Sequence, residues 1–360
     1  MKKDIAIIIA TLNEENNVNI LFDKIKNLLK NDFSWEVIFV DDGSQDKTLD
    51  QIKNIRNENN NVFLIKRLNT RGLSSALIQG ALSSNSKYIL FMDADLQHNP
   101  DYILQLYNKI KTDNKNLISA SRFLNKKSNV KYFRYKISIL VNNLINKIFS
   151  IKISDSLTGY FIIESSFFNK HVNNLSAKGF KLLLDIVLST KKIIKFDEIP
   201  FTFDQRYFGK SKLNNKIIID FVYLIIEKVF GRYLPTRYIL YSFVGTMGIF
   251  IQLISFYFAH GVFKLSFTIS EFISIFIAMN FNFNLNNIFT YADLRLRGKY
   301  YLKGILLFYF FCSFGAIFNF ITAENLYKMS DLTYISVFIG AIVGSIWNYS
   351  MNNSFNWRDN

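Results

Sequence analysis

The sequence holds one cysteine, Cys312, and three histidines in 360 residues. A single thiol excludes an internal disulfide, and its place in an apolar run gives it a packing role. His98, His171 and His260 show no metal-ligand spacing, which leaves them packing or surface roles. The turn after the first apolar run reads NEENN, without the glycines of a dinucleotide site, and no G-x-x-x-x-G-K-[ST] phosphate loop occurs. Long hydrophobic runs are missing from Met1 to about Tyr207 and crowd together from about Ile239 onward. The composition therefore reads as a water-soluble half followed by a membrane half.

The opening stretch MKKDIAIIIATLNEE superficially resembles a signal peptide. Its apolar part is too short, Asp4 interrupts the approach and no small-residue cleavage site follows, so a first β-strand is expected and the N-terminal half stays in the cytoplasm. The net charge of +15 does not indicate nucleic acid, because the basic residues flank apolar segments and do not gather on one polar face. Attraction to an anionic membrane surface explains the same charge.

Strand-like runs recur at IAIIIATL, WEVIFVDD, NVFLIKRL, KYILFMDAD and NLISASRF. Helical spacing separates them at Val18 to Leu29, Thr48 to Arg56 and Ser74 to Leu82. This alternation predicts an α/β domain with a mostly parallel sheet covered on both faces. Such sheets bind ligands beyond the carboxyl ends of their strands. The polar residues fall there: Asn13 and Glu14 after the first strand, Asp41 and Asp42 after the second, Asp93 and Asp95 after the fourth. Carboxylates approach a diphosphate only through a bridging cation, so a hard divalent ion is implied. In an extended chain Asp93 and Asp95 point the same way and share one ion, with small Ala94 between them. Asn99 is expected as the next helix's N-cap, Pro100 as its first residue and Asp101 in its first turn.

The blocks ATLNEENNV, VDDGSQDKT, RGLSSALIQGAL, DADLQHNP, SRF, DSLTGYFII and FDQRYFGKSKL then occur in the order found in family 2 glycosyltransferases. Over about residues 4 to 213 the chain resembles the dolichyl- or polyprenyl-phosphate mannosyltransferase branch. The resemblance implies a GT-A (Rossmann-like) catalytic domain over 1–213, with Ala10, Leu12, Glu14, Asp41 and Asp42 around the nucleoside. It implies that Asp93, Asp95 and Gln97 hold Mg²⁺ or Mn²⁺ against the donor diphosphate, with Ala94 alongside. Arg206 and Lys212 would clamp the phosphates, and Arg122, Arg134 and Ser138 would meet the phosphate of the lipid acceptor. Ala10 departs from the family's usual proline.

Each residue also has a plainer reading. Asp41 and Asp42 could start the turn DDGSQD with Asp46 capping the next helix; Arg206, Lys210 and Lys212 could be solvated loop charges. Arg134 could pair with phospholipid headgroups, and Asp155 and Gly159 could only shape a turn.

Two segments have interfacial character. In KYFRYKISILVNNLINKIF (about 131–150) the apolar residues Phe133, Ile137, Leu140, Val141, Leu144, Ile145 and Ile148 share one helical face. KIIIDFVYLIIEKVF, within 214–234, keeps Asp220 and Glu227 on one side. From 235 to 360 an all-α membrane domain of four transmembrane helices is expected, at about 238–259, 266–289, 303–323 and 333–352. Arg295, Arg297, Lys299 and Lys303 place their loop, and both termini, in the cytoplasm. NFNLNNIFTY (282–291) and NYSMNNSFNW (348–357) share an asparagine-aromatic pattern, read as a duplicated two-helix hairpin whose amides satisfy one another and whose aromatics sit at the interface. The region resembles the four-span GtrA-like family.

The expected activity is inverting transfer of one sugar from a nucleotide sugar, GDP-mannose or a UDP-sugar, to a polyprenyl or dolichyl monophosphate. The membrane domain would anchor the chain, with a homo-oligomer open to it; moving the lipid product is the sharper reading. A processive polysaccharide synthase would carry Q-x-x-R-W, which is absent. A lipid-sugar transporter with a nucleotide-sensing domain is the alternative from another class.

Overall fold

The computed structural model describes residues 3–29, 33–68, 72–124, 132–176, 181–191, 193–204, 215–231, 233–330 and 333–358. The chain divides into two compact units, Met1–Lys228 and Val229–Asn360.

The first unit is built on a seven-stranded sheet in the order β3-β2-β1-β4-β6-β5-β7. Its strands are β1 (Ile5–Thr11), β2 (Trp35–Asp41), β3 (Val62–Lys66), β4 (Tyr88–Asp93), β5 (Leu117–Ser121), β6 (Phe161–Glu164) and β7 (Phe196–Pro200). All pairings are parallel except those of β6, which runs antiparallel to β4 and β5. The connecting helices are α1 (Val18–Leu28), α2 (Thr48–Glu58), α3 (Leu73–Leu82), α4 (Tyr102–Thr112), α5 (Tyr132–Phe149), α6 (Ser165–His171), α7 (Leu182–Thr190) and α8 (Asn215–Phe230).

IAIIIAT carries no polar alternation because helices cover both sides of β1. Its period of two sends Ile5, Ile7 and Ile9 into one core with α1, α2 and α4, and Ala6 and Ile8 into the other with α3 and α7. Gly80 lets α3 close on the sheet: an added Cβ would lie 2.6 Å from Ile8 Cγ2 and 2.8 Å from Val40 Cγ2. The five expected strands are present. β6 and β7 add to them; β6 is only four residues long and takes its hydrogen bonds from partners about seventy and forty-five residues upstream, which no local pattern announces. Register sets Thr11 beside Asp41 and Ala10 beside Asp93, so the polar ends of β1, β2 and β4 share one edge.

The second unit holds four long helices: α9 (Thr236–Phe256), α10 (Phe267–Leu285), α11 (Lys299–Ser330) and α12 (Thr333–Met351). They cover the four segments expected to be helical, with α11 extending beyond 303–323 at both ends. Among the described residues, Thr236–Val262 and Lys299–Asn319 are long and apolar enough to cross a membrane. Large apolar side chains face outward, as with Phe250 and Leu253, each 62% exposed.

The duplication is visible in the packing. Asn282 of α10 lies against Gly248 of α9, and Asn348 of α12 lies against Gly315 of α11. Helices α9, α10 and α12 each run into a π-helical turn, and the turns after α10 (Asn286–Thr290) and α12 (Asn352–Asn356) carry the repeated asparagines. Thr290 Oγ1 donates to Asn286 Oδ1 at 2.7 Å, and in the second copy Asn356 Nδ2 donates to Asn352 Oδ1 at 3.1 Å. One expectation is corrected here. Most amides donate to backbone carbonyls and not to one another, as Asn284 does to Asn280 and Asn352 to Asn348, because a carbonyl four residues back is always within reach on a helix. The motif-ending aromatics Tyr291 and Trp357 are fully buried and stack face to face, centroids 4.4 Å apart.

Candidate active site

β4 ends on Asp93, and the chain then turns sharply through Ala94, Asp95 and Leu96. Leu96 has φ +62°, a costly left-handed conformation for a branched side chain, held by burial of that side chain in the core. Helix α4 begins at Tyr102, two residues beyond the expected Pro100, with Asp101 at the N-cap position. Asn99 Oδ1 does accept a backbone N–H, but from Asp101, in a turn that precedes the helix.

His98 does more than pack. The Asp93 N–H donates to its Nδ1 at 3.0 Å, which places the ring proton on Nε2, 3.7 Å from Asp93 Oδ2. Its ring stacks on Tyr160 at 5.0 Å and meets Phe201 and Phe203 edge-on. Burial pushes its pKa down to about 4 despite the nearby Asp95 charge, so the imidazole is neutral at neutral pH. His98 therefore positions Asp93.

The Asp93 carboxylate is 39% exposed, whereas Asp95 is buried and accepts the Gln97 N–H at 3.2 Å. Gly159 closes the site from the opposite loop: an added Cβ would lie 3.4 Å from Asp93 Oδ1 and 3.4 Å from His98 Cε1. Gln97, expected as a metal ligand, donates its side-chain amide to the Asp204 carbonyl at 3.2 Å while Asp204 N–H returns a bond to the Gln97 carbonyl. It thus braces the strand end that leads to residues 205–214. Arg206, Lys210 and Lys212, and with them the expected phosphate clamp, lie outside the described residues.

Arg122 sits at the end of β5 and forms a two-pronged ion pair with fully buried Asp155, Nε to Oδ2 at 2.6 Å and Nη2 to Oδ1 at 2.8 Å. Burial opposes the guanidinium charge, but the Asp155 hydrogen bonds and the charges of Asp155 and Asp93 outweigh it and hold the Arg122 pKa above its ordinary value. Asp155 therefore does more than shape a turn.

Its loop is held from three sides. Glu198 accepts the N–H groups of Ser154 and Asp155 at 2.8 and 3.3 Å. Lys181 Nζ donates to the Leu157 carbonyl. Asn142 of α5 uses its whole amide: Nδ2 donates to the carbonyls of Ile153 and Ser154, and Oδ1 accepts from the N–H and the hydroxyl of Ser156. Burial, aided by the Arg122 charge and partly offset by Asp93 and Asp155, pulls the Lys181 ammonium down to about 8.

Helix α5 exposes Ile137 (45%), Leu140 (60%) and Ile148 (53%) while burying Asn142, Ile145 and Phe149. Ser138 is half-buried on this helix, and Arg134 is on its first turn.

At the other corner, Asp41 is fully buried and both its oxygens serve its own turn. Oδ1 accepts from the N–H groups of Gly43 and Ser44, and Oδ2 from the hydroxyls of Thr11 and Ser44. Asp41 thus shapes this turn at the end of β2, where the nucleoside contact is also expected. Asp42 accepts from Arg67 Nη1 at 2.6 Å and from the Gly72 N–H at 2.7 Å, anchoring the start of α3. Glu14 and Leu12 are half-buried beside them; Glu14 accepts from Asn17 Nδ2, and its N–H donates to Thr48 Oγ1. Asp46 accepts the Thr48 N–H at 3.0 Å in a turn ahead of α2, whose N-cap position is Lys47.

The residues sequence reasoning missed are His98, Asp155, Asn142, Lys181 and Arg67. Asp155 lies in the quoted block DSLTGYFII, and an aspartate ahead of a glycine-containing turn near an S-R-F arginine was its available signal. For Asn142 and Lys181 no signal existed, since each acts through backbone atoms that the chain brings near only on folding.

The glycosyl transferase family 2 model matches residues 6–172, and that of the GtrA/DPMS transmembrane domain matches residues 240–357. A dolichol-phosphate mannosyltransferase of Pyrococcus furiosus is 30% identical over 361 residues, covering 98% of this chain and 99% of its own. The Saccharomyces cerevisiae protein of the same name is 27% identical over 237 residues, covering 63% of this chain and 87% of its own. Among solved structures, glucosyl-3-phosphoglycerate synthase of Mycobacterium tuberculosis superposes with a TM-score of 0.50 at 13% identity, over 63% of this chain and 79% of its own. That likeness gives the first unit its GT-A-like fold, and the second unit is a membrane domain of the GtrA/DPMS type.

Proposed function

Because the chain belongs to the dolichol-phosphate mannosyltransferase family, with a family 2 glycosyltransferase domain ahead of a GtrA/DPMS membrane domain, we propose that it transfers one sugar from a nucleotide sugar to a polyprenyl monophosphate. One observation of geometry carries the reading. Asp93 and Asp95 stand at the carboxyl edge of the sheet, beside an arginine that a buried aspartate holds in place.

Asp93 and Asp95 fit a hard divalent cation, Mg²⁺ or Mn²⁺. Both offer carboxylate oxygens, and Gly159 leaves room at Asp93. Asp93 and Asp95, with Gln97, would hold such an ion against the donor diphosphate. When bound, the ion supplies electrostatic stabilisation of the departing nucleoside diphosphate. Gln97 acts as brace and as a further ligand; Arg206 and Lys212 complete the charge balance on the phosphates.

The acceptor phosphate oxygen is already ionised, so no general base is required. His98 fits that chemistry, since its Nδ1 lone pair is engaged by the Asp93 N–H and burial keeps the ring neutral. Arg122, with Arg134 and Ser138 from α5, binds the acceptor phosphate. Asp155 takes part of the Arg122 fork and fixes its plane, which leaves further N–H donors for a phosphate. Leu12, Glu14 and Asp42, with Ala10 in register beside Asp93, border the nucleoside. Single displacement yields a β-linked lipid phosphate sugar. In this reading the membrane unit spans the bilayer four times, with the catalytic unit and both termini cytoplasmic, which the basic segment from Arg295 to Lys303 supports.

GDP-mannose is the donor named by this reading. A panel of radiolabelled GDP-mannose, UDP-glucose and other UDP-sugars, each with the purified full chain, Mg²⁺ and polyprenyl phosphate, tests it. Labelled lipid from GDP-mannose is expected. Labelled lipid from a UDP-sugar alone would reassign the donor, and none from any donor would end the transferase reading.

A further inference from the structure

The second unit contains a cationic cleft that takes no part in the chemistry above. Where α10 gives way to α11, a cleft of about 330 Å³ is lined by Asn284, Asn287, Arg295, Arg297 and Tyr301, with Ile288 and Leu296 as its apolar part. No carboxylate lines it. The acid of the connecting segment, Asp293, is taken by Arg237 at 2.5 Å. Arg295 and Arg297 are exposed, and neither guanidinium has an ion-pair partner among the described residues.

The cleft is built rather than incidental. Asn287 grips Leu296, the residue between the two arginines, from both sides: the Leu296 N–H donates to Asn287 Oδ1 at 2.8 Å, and Asn287 Nδ2 donates to the Leu296 carbonyl at 3.1 Å. Trp357 Nε1 donates to the same Oδ1 at 3.0 Å, tying the segment to the far end of the chain. Gly298, at φ +54°, makes the left-handed turn into α11. Tyr301 OH donates to Asn284 Oδ1 at 2.8 Å and fixes the opposite wall.

Two guanidinium forks on a braced backbone suit a phosphate, because planar N–H pairs match its oxygens and little ordering is left to oppose binding. Apolar side chains stand exposed in the lining and near it in sequence: Ile288 is 44% exposed, and Leu302 and Leu306 on the first turns of α11 are 65% and 67% exposed. A phosphate carrying a hydrocarbon chain satisfies both parts, whereas a free phosphate satisfies only the first.

We propose that this cleft binds the phosphate headgroup of a membrane lipid, a phosphomonoester or phosphodiester, on residues distinct from those that transfer the sugar. The proposal rests on the membrane reading of the second unit. The site would give the enzyme a second hold on its lipid, before or after glycosylation.

The full chain in neutral detergent, titrated with polyprenyl phosphate and examined by native mass spectrometry for bound lipids, provides the test. Wild type is expected to hold one lipid phosphate more than Arg295→Gln/Arg297→Gln, or to hold the second at least about tenfold more tightly, since each arginine supplies charge-assisted hydrogen bonds. Lys299→Gln/Lys303→Gln removes the same charge outside the cleft lining and is expected to match wild type. Parallel titrations with phosphatidylglycerol and with inorganic phosphate identify the source of the phosphate. Loss of both lipids in the arginine variant upholds a general lipid-phosphate site, and loss of polyprenyl phosphate alone upholds one restricted to the monoester. Unchanged lipid binding in the arginine variant, equal loss in the lysine variant, or binding of inorganic phosphate without lipid would overturn the proposal. Transfer activity of the wild-type preparation is read separately, so failure of the transferase reading leaves the lipid count interpretable.

Discussion

The two units bury polar groups in opposite ways. At the edge of the sheet, charge meets charge: Arg122 grips fully buried Asp155, and Arg67 pairs with Asp42. In the helical unit, neutral amides meet glycines: Asn282 sits on Gly248 and Asn348 on Gly315, each at a place where a Cβ would collide. The amide oxygens of Asn282 and Asn348 accept no conventional hydrogen bond among the described residues. Their neighbours are glycine backbones, where weak Cα–H donors are the available partners. Phosphate chemistry requires fixed charge, which a protein interior tolerates only in pairs. A membrane interior penalises charge more severely, so close backbone approach and small residues carry the packing there. The first unit should therefore be sensitive to losing a charge, and the second to gaining an atom.

The largest effect is expected from Asp95→Asn. Losing one carboxylate of the proposed metal pair should lower transfer by about 10²- to 10³-fold with little change in thermal stability, measured as initial rate and melting temperature of the full chain. Retained full activity would remove Asp95 from the metal site.

Next in size is Asp155→Asn. It leaves Arg122 with an uncompensated, largely buried charge and should cost about 3 kcal/mol of stability, together with a raised KM for the lipid acceptor. A variant as stable as wild type would show that the pair has no structural weight.

In the second unit, Gly315→Val forces apart α11 and α12 where Asn348 and Gly344 close on that position. A loss of about 2 kcal/mol is expected, read as a lower melting temperature in detergent. Gly245→Val is the control, since nothing lies within 4 Å of a Cβ there. Equal losses at both sites would refute the role of close packing.

The smallest effect concerns Lys181, whose ammonium is pulled from 10.5 to about 8 by burial. Below pH 8 the folded state carries a buried charge that the unfolded chain keeps in water. As pH rises the folded form loses its proton first, so stability should increase, by about 1 kcal/mol between roughly pH 8 and 9. Lys181→Met should flatten that rise in melting temperature.

Legibility in the sequence follows the range of each interaction. The parallel strands announced themselves because IAIIIAT and YILFMD are buried on both faces and need unbroken apolar character. The placing of Asp93 and Asp95 at the sheet edge was legible because the polar stretch begins where such a run stops. Helix α4 was misplaced by two residues because Asn99 caps a turn and not the helix itself, a distinction visible only in backbone geometry. His98 lacks metal-ligand spacing, which points to packing or a surface role; its partner is a backbone N–H five residues earlier, and backbone donors leave no mark on residue choice. The repeated asparagine motifs showed the duplication, but not that Tyr291 and Trp357 would stack on one another inside the unit, which depends on how two hairpins far apart in sequence meet.

The most direct measurement is the anomeric configuration of the lipid product formed by the full chain from GDP-mannose and polyprenyl phosphate with Mg²⁺ or Mn²⁺, read by proton-coupled carbon NMR. A β-linked mannosyl phosphate lipid, formed without release of free mannose, is the predicted result. An α-linked product, or free mannose and nucleotide with no lipid product, would contradict direct attack by the lipid phosphate at the Asp93–Asp95 edge.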